Sequence, residues 1–370
     1  MLAVSMVERP SSGSELSFPN SIAFDPVTTC LLIAYHDGLL IWFALARRAV
    51  LSELPTGPHG LGALAVLPRQ RSCVGISGLD QAVNLVDLEQ ATMRQLARFE
   101  EEPVCLLPDP ATDTLFVACA SQHRDLLYTV DGTTGAARNR IPIGRAPKAL
   151  AIDSHQHVLF VISGRTPSLP LVDTLTGALL NTISLPSTPT GIVVDGVNRQ
   201  IFVATLKAGV VVLDRSHGDL IKTLASDYVF GAPWGRLALL GGIGIDVDAR
   251  RVVLGYDQEQ SNESPCAVTI LDSQTLAVVA RHPLPGMVMA VRVHGGKHRA
   301  YVFYQTRHGD GTTRARVLTL QVLDTRTGAI LHEEVVAKHP KAVLLVESRN
   351  QLFIADYDQQ AVVCVEDLIP

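Results

Sequence analysis

Aromatic residues are scarce in this chain of 370 residues: they make up 5% of it, and only two are tryptophan. A surface that stacks bases draws on more of them than that. Basic charge is also in short supply, with 31 Lys and Arg against 36 Asp and Glu and a net charge of −5. Nonspecific nucleic-acid binding needs a basic footprint, so no nucleic-acid partner is expected. No apolar run approaches the length that crosses a bilayer, and MLAVSMVERP lacks the basic region and long apolar stretch of a secretory signal. The expectation is a cytoplasmic protein with no membrane partner. The six cysteines (Cys30, Cys73, Cys105, Cys119, Cys266, Cys364) show no CxxC or CxxCH spacing and read as buried free thiols of a reducing compartment. HExxH and GxSxG are missing as well, which removes two spacing signatures of hydrolases.

What the chain does have is 47% hydrophobic residues and a repeat that organises them. The stretch 171–205 reads LVDTLTGALLNTISLPSTPTGIVVDGVNRQIFVAT. Its short runs of Val, Ile, Leu and Thr are separated by TLTG, PSTPT and GVNR, the pattern of β-strands joined by turns. An Asp closing an apolar run recurs at Asp87, Asp131, Asp173, Asp214, Asp272, Asp324 and Asp367, 41 to 58 residues apart. One period before Asp87 lies GLLIWFALARR, with Ala44 near the Asp position, which makes eight third strands. Several of these Asp open tight turns such as DGTTG (131–135) and DTRTG (324–328). A carboxylate there can accept backbone N–H bonds while the Gly tolerates positive φ, so the set reads as hairpin staples.

Each third strand is preceded by a pair, from SIAFD (21–25) with CLLIAY (30–35) to KAVLLVE (341–347) with QLFIAD (351–356). Fourth strands follow the Asp turns, as in ALLNTISL (178–185). The last repeat stops after its third strand, AVVCVEDLIP, and the chain begins with an orphan strand, LAVSMVE. An N-terminal strand that completes the C-terminal blade closes a ring and removes open sheet edges. The expected fold is all-β, a single β-propeller domain over 1–370 with eight four-stranded blades. A seven-bladed ring with one degenerate segment packed elsewhere is the alternative.

The segments VDTLTGALLNTISLPSTPTGIVVDGVNRQIFVAT and VDGTTGAARNRIPIGRAPKALAIDSHQHVLFVIS resemble repeats of the YVTN-type and NHL-like propellers. FVAC, FVIS, FVAT and FIAD stand where the YVTN tetrapeptide would fall. Proteins of this fold include binding scaffolds, lactonases, lyases and quinone-cofactor dehydrogenases, so the resemblance implies a fold rather than a reaction. Trp42 and Trp234 alone do not provide the repeated tryptophan docking of quinoprotein dehydrogenases. The resemblance also implies where a ligand sits: over the central channel, on the face built from the loops joining second to third strands and blade to blade.

On those loops the non-repeating residues are the candidates. His36 with Asp37 and His123 with Asp125 pair an imidazole with a carboxylate, the requirement for acid–base hydrolysis of a lactone, ester or amide, or for a lyase step. Ligand-binding candidates are His59, Arg124, Arg145, Lys148, Arg165, Lys207, Trp234, Arg236, Asp257, His308 and Asp356, with His282, His339 and Lys341 on further blade-to-blade loops. No cofactor is specified. A divalent metal held by His36, Asp37, His123, Asp125, Asp257 and His308 is the metal candidate, with ligands unknown because separate blades leave no spacing signature. Arg124, Arg145, Lys148, Arg165, Lys207 and Arg236 come from neighbouring blades and predict a basic sector suited to a carboxylate or phosphate. Opposite it Asp257, Asp356 and Asp358 predict an acidic one. The 226–242 insertion, with Tyr228, Phe230 and Trp234, reads as an aromatic lid. The leading expectation is a binding protein for a peptide or an anionic small molecule, with a protein partner also compatible; the alternative is a hydrolase or lyase.

Overall fold

A computed structural model describes residues 2–8, 17–109, 111–206, 208–215, 218–224, 242–256, 266–308, 315–367 and 369. They form eight four-stranded antiparallel sheets in a ring, the eight-bladed alternative of the two expected. Blade 1 spans Pro19–Pro55, blade 2 Leu64–Arg98, blade 3 Glu102–Pro142, blade 4 Pro147–Ser184 and blade 5 Pro189–Leu224. Blade 6 spans Ile243–Leu284, blade 7 Met287–Ala337 and blade 8 Pro340–Asp367. Each sheet is ordered by sequence from an innermost to an outermost strand, except that blade 8 takes Leu2–Val7 as its outermost. That strand pairs antiparallel with Ala361–Asp367 from Leu2↔Asp367 to Val7↔Val362. No described helix is long and apolar enough to cross a membrane.

Apolar runs become strands here because both faces of each sheet are covered. Second strands such as Cys30–Tyr35 and Ser72–Ser77 are buried at every residue, whereas the outermost Leu179–Ser184 is almost wholly exposed. A strand covered on both faces reads as a continuous apolar run rather than an alternating one. The core is accordingly split into eight clusters, each lying between two neighbouring blades. Phe116, Leu127, Leu159 and Val172 join blades 3 and 4, and Val7, Ile33, Phe353 and Val362 join blade 8 to blade 1.

The Asp turns behave as the sequence predicts. Oδ1 of Asp131 accepts from the backbone N–H of Thr133 at 3.0 Å and Thr134 at 2.8 Å, and Asp173 repeats this with Leu175 and Thr176. The Thr134 N–H bond, aided by Arg138, holds the Asp131 carboxyl down at about 2. Asp367 departs from the set because no hairpin follows it. Its buried carboxylate crosses to blade 7 and accepts from Arg299 and from the Tyr301 hydroxyl.

The lower face, built from first-to-second and third-to-fourth strand turns, is stitched by similar contacts between blades. Arg215 of blade 5 forks onto Asp153 of blade 4, with side chains 8% and 3% exposed. Asp246 of blade 6 meets His298 at 3.0 Å and the Thr325 hydroxyl, both of blade 7. Breaking a buried ion pair on one side leaves an uncompensated charge and costs about 3 to 5 kcal/mol. Arg215→Ala therefore lowers the thermal midpoint at neutral pH. Burial raises the Asp153 pKa, but the Arg215 hydrogen bond and charge outweigh it and the net shift is downward. A depressed folded pKa contributes stability that is present above the ordinary carboxylate pKa of about 4 and is lost as pH falls through the folded value. Unfolding curves between pH 7 and pH 2 should show part of the acid-linked loss in the native chain missing from the variant; parallel curves would contradict the pairing.

Candidate functional site

The upper face is organised by one device at the start of the inner strands. In blades 1, 3, 4, 5, 7 and 8 the register slips by one residue there, leaving Asn20, Val104, Lys148, Thr190, Met289 and Lys341 as β-bulges. In five of them the residue before the bulge is a proline (Pro19, Pro103, Pro147, Pro189, Pro340). Proline has no N–H to give to a ladder, so it occurs at strand starts and bulges, and a bulge re-aims the side chain it carries. Just before it, the carbonyl of Phe18, Ala146, Thr188 or His339 accepts from the first N–H after the second strand: His36, Gly164, Leu206 or Tyr357. Blade-to-blade loops are thus tied to second-to-third-strand loops.

Two of the six bulge positions hold lysine, Lys148 in blade 4 and Lys341 in blade 8, which lie opposite one another in a ring of eight. Both are half-buried, and burial pushes both ammonium groups below the ordinary lysine pKa. Among the described residues no carboxylate comes within ion-pair distance of either. Lys148 lies across Gly164, where an added Cβ would stand 2.3 Å from its Cε, so a larger residue there would displace the lysine side chain. In blade 8 the same place is taken by Tyr357. The Lys341 Nζ sits 4.9 Å from the centre of the Tyr357 ring and 5.4 Å from that of Phe18, which are themselves 4.4 Å apart. Cation–π contacts of this kind hold an ammonium without neutralising it.

His36, His339 and Arg316 complete this cluster. The His36 ring lies 4.8 Å from Phe18, and His339 lies 5.3 Å from Tyr357. His339 Nε2 is 3.4 Å from Arg316 Nη1, and its Nδ1 is 3.7 Å from Asp358 Oδ1. Burial first, then the positive charges of Lys341 and Arg316, push the His339 pKa below that of a free imidazole.

Asp125, expected to work with His123, and Asp356, expected as a ligand-binding residue, are both occupied by backbone. Asp125 is 2% exposed, and accepts from Ser121 N at 2.9 Å and from Ala146 N at 2.5 Å, with Arg145 Nη1 at 4.0 Å. Asp356 is fully buried and accepts from the N–H groups of Lys338, His339, Asp358 and Gln359. Each ties a second-to-third-strand loop to a blade-to-blade loop. His123 is exposed on a turn capped by the Ser121 hydroxyl, beside the exposed Arg124, and stands two blades from His36. Asp37 is half-buried on a loop pinned to the blade-to-blade loop, where the Gly38 carbonyl accepts from Thr56 N–H at 2.7 Å. Gly38 has φ +88°, and an added Cβ would lie 1.8 Å from the Gly57 carbonyl oxygen, beside the loop that carries His59. His59 itself is exposed, 3.9 Å from Asp80.

Arg145 and Arg165 are linked through their backbones at 3.1 Å, close to Lys148 in sequence, and Arg165 is exposed. His308 lies in strand Arg299–His308, paired with Ala315. Lys207, Trp234, Arg236 and Asp257, with the 226–236 lid, lie outside the described residues. The expected acidic sector takes a different form where it is described: blade 8 brings Asp358, but also Lys341 and His339, with Arg316 reaching it from blade 7. Among the described residues no three His, Cys, Asp or Glu side chains gather to hold a metal ion. Phe18, Tyr357 and Arg316 were not singled out by the sequence; the signal available was an aromatic residue flanking the inner strands at two of the tied loop positions.

No family model matches the chain, and no curated protein matches it. Solved structures do. The computationally designed Ika8 protein superposes with a TM-score of 0.67 at 13% identity, covering 94% of this chain and 96% of that one. Sqt1 of Saccharomyces cerevisiae gives 0.73 at 11% identity over 96% and 97%. Hydrazine synthase of Kuenenia stuttgartiensis gives 0.64 at 13% over 98% and 99%. At such identities the likeness is one of fold alone.

Histidine titration by NMR tests the cluster. His339 should remain neutral to lower pH than a free imidazole, and Lys341→Met should move its midpoint upward by removing a neighbouring positive charge. An unchanged midpoint in the variant would dissociate the two residues.

Proposed function

We propose that the protein is a binding module of the YVTN/NHL-like kind that holds an anionic small molecule, or an anionic group of a peptide, over the central channel. The observation that supports this reading is the pair of half-buried lysines, Lys148 and Lys341, set at the same register in opposite blades with no carboxylate within ion-pair distance among the described residues. An ammonium partly removed from water and not paired with a carboxylate at contact is costly, and a charge-assisted hydrogen bond donated to an arriving carboxylate or phosphate offsets that cost. The aromatic pair Phe18 and Tyr357 supports a contact with an apolar part of the same ligand. His339 and Arg316 add donors beside Lys341, and Arg165 adds charge beside Lys148.

A binding role requires no chemistry from these groups. The engagement of Asp125 with the backbone N–H groups of Ser121 and Ala146 favours binding over a His123–Asp125 hydrolase, because that carboxylate is already held by the loops. Calorimetry with a panel of dicarboxylates, phosphorylated metabolites and acidic peptides provides the test. A hydrogen bond to a charged group is worth about 1.5 to 3 kcal/mol, so Lys341→Gln should weaken a bound anion roughly ten- to hundredfold, and Lys148→Gln similarly. Affinities unchanged in both variants would sink the proposal.

A further inference from the structure

The ring closes at a seam whose two outer edges carry little of the usual protection. The outermost strand of blade 8, Leu2–Val7, and that of blade 1, Ala49–Pro55, are each the terminal strand of their sheet. Outer strands expose a row of N–H and C=O groups, and proteins blunt such edges with charged residues, Lys above all, or with proline. Three other outer edges follow that rule: Thr92–Arg98 carries Arg94 and Arg98, Ala137–Pro142 carries Arg138 and Arg140, and Val278–Leu284 carries Arg281 and Pro283, whereas Leu179–Ser184 carries no charge. Leu2–Val7 has no charged residue, and Ala49–Pro55 has one, Glu53, with a proline only at its last position.

Both strands line a single groove of about 720 Å³, a size within the roughly 300–1,000 Å³ of ligand sites. Phe43, Leu45 and Val50 are half-buried in its lining, while Met6 and Leu51 are 53% and 52% exposed. The lining carries three carboxylates, Glu8, Glu53 and Glu366, against one guanidinium, Arg48, which leaves a formal charge of −2. Cys364 also faces it, but burial pushes its thiol up to about 11, so it adds apolar surface rather than a nucleophile.

We infer that this seam groove binds an extended peptide segment of alternating apolar and basic residues, added as a fifth strand on the open edge of Ala49–Pro55. Strand addition supplies main-chain hydrogen bonds, and pockets for alternate side chains supply specificity. The basic side chains face the groove, laying their apolar stems along Met6, Phe43 and Leu51 and reaching Glu8, Glu53 and Glu366 with their charged ends. The groove lies on the outer rim, apart from the channel, and its ligand has the opposite charge to that of the upper face.

Fluorescence anisotropy with a labelled Lys-Leu-Lys-Leu-Lys-Leu peptide, and with its Glu-Leu counterpart, tests the inference. The native chain should bind the Lys-Leu probe saturably and the Glu-Leu probe at least tenfold more weakly. Leu51→Ser, at an exposed position that leaves the melting temperature in place, should weaken the Lys-Leu probe at least fivefold. Glu53→Lys should invert the preference between the two probes, and Lys341→Gln should leave both unchanged. No saturable binding, equal binding by Leu51→Ser, or a loss on Lys341→Gln would each overturn the inference. So would a concentration-dependent dimer abolished by Leu51→Ser in a chain that ignores both probes, which would give the groove to a second copy.

Discussion

The pairing of Leu2–Val7 with Ala361–Asp367 is the contact on which the rest of the ring depends. No blade owns its core. Every apolar cluster lies between two sheets, so a blade without its neighbour exposes a whole face of Val, Ile and Leu. A row of such units is stable only if its ends are capped or joined. Here they are joined, and the joint carries its own cluster: Val7 of the first strand packs with Ile22 and Ile33 of blade 1 and with Val362 and Phe353 of blade 8.

Closure by packing alone would leave the loops unspecified. Polar stitches set their places, and these concentrate where neighbouring blades meet. On the lower face Asp153, Asp246 and Asp367 reach across to arginine, histidine, threonine or tyrosine of an adjacent blade. On the upper face Asp125 and Asp356 gather backbone N–H groups from two loops at once. A buried carboxylate must be satisfied by hydrogen bonds, and this requirement converts an ordinary loop into a fixed platform. Lys148 and Lys341 stand on that platform at bulges opened by a preceding proline, with burial already having removed part of their water.

The repeat was readable because a sheet covered on both faces leaves unbroken apolar runs such as VLFVIS and QIFVAT. Ala44 at the end of a third strand, and the missing fourth strand after Glu366, marked eight blades and the closing partner. The two lysines were visible as residues at the starts of inner strands. Their partners were not, for a geometric reason: Phe18 and Lys341 belong to opposite ends of the chain and meet only through closure. For Asp125 and Asp356 what the sequence hides is chemical. An Asp beside His123, or in a loop near other charged groups, looks the same in sequence whether its oxygens face solvent or a set of backbone N–H donors. Asp358 and Lys341 share blade 8 for a similar reason: charge counted loop by loop does not reveal which carboxylates are already occupied.

Closure by the first strand also fixes an order of events. Leu2–Val7 precedes its partner strand Ala361–Asp367 by seven blades, so it waits unpaired through their synthesis. Contacts this distant in sequence make folding slow, because the chain between them must be confined before they form. Meanwhile the face of blade 1 that will meet Val7 stays uncovered, with Ile22 and Ile33 on it. Aggregation during biosynthesis is therefore a hazard concentrated at one seam, and a chaperone that shields this protein has a single short apolar strand and one blade face to protect.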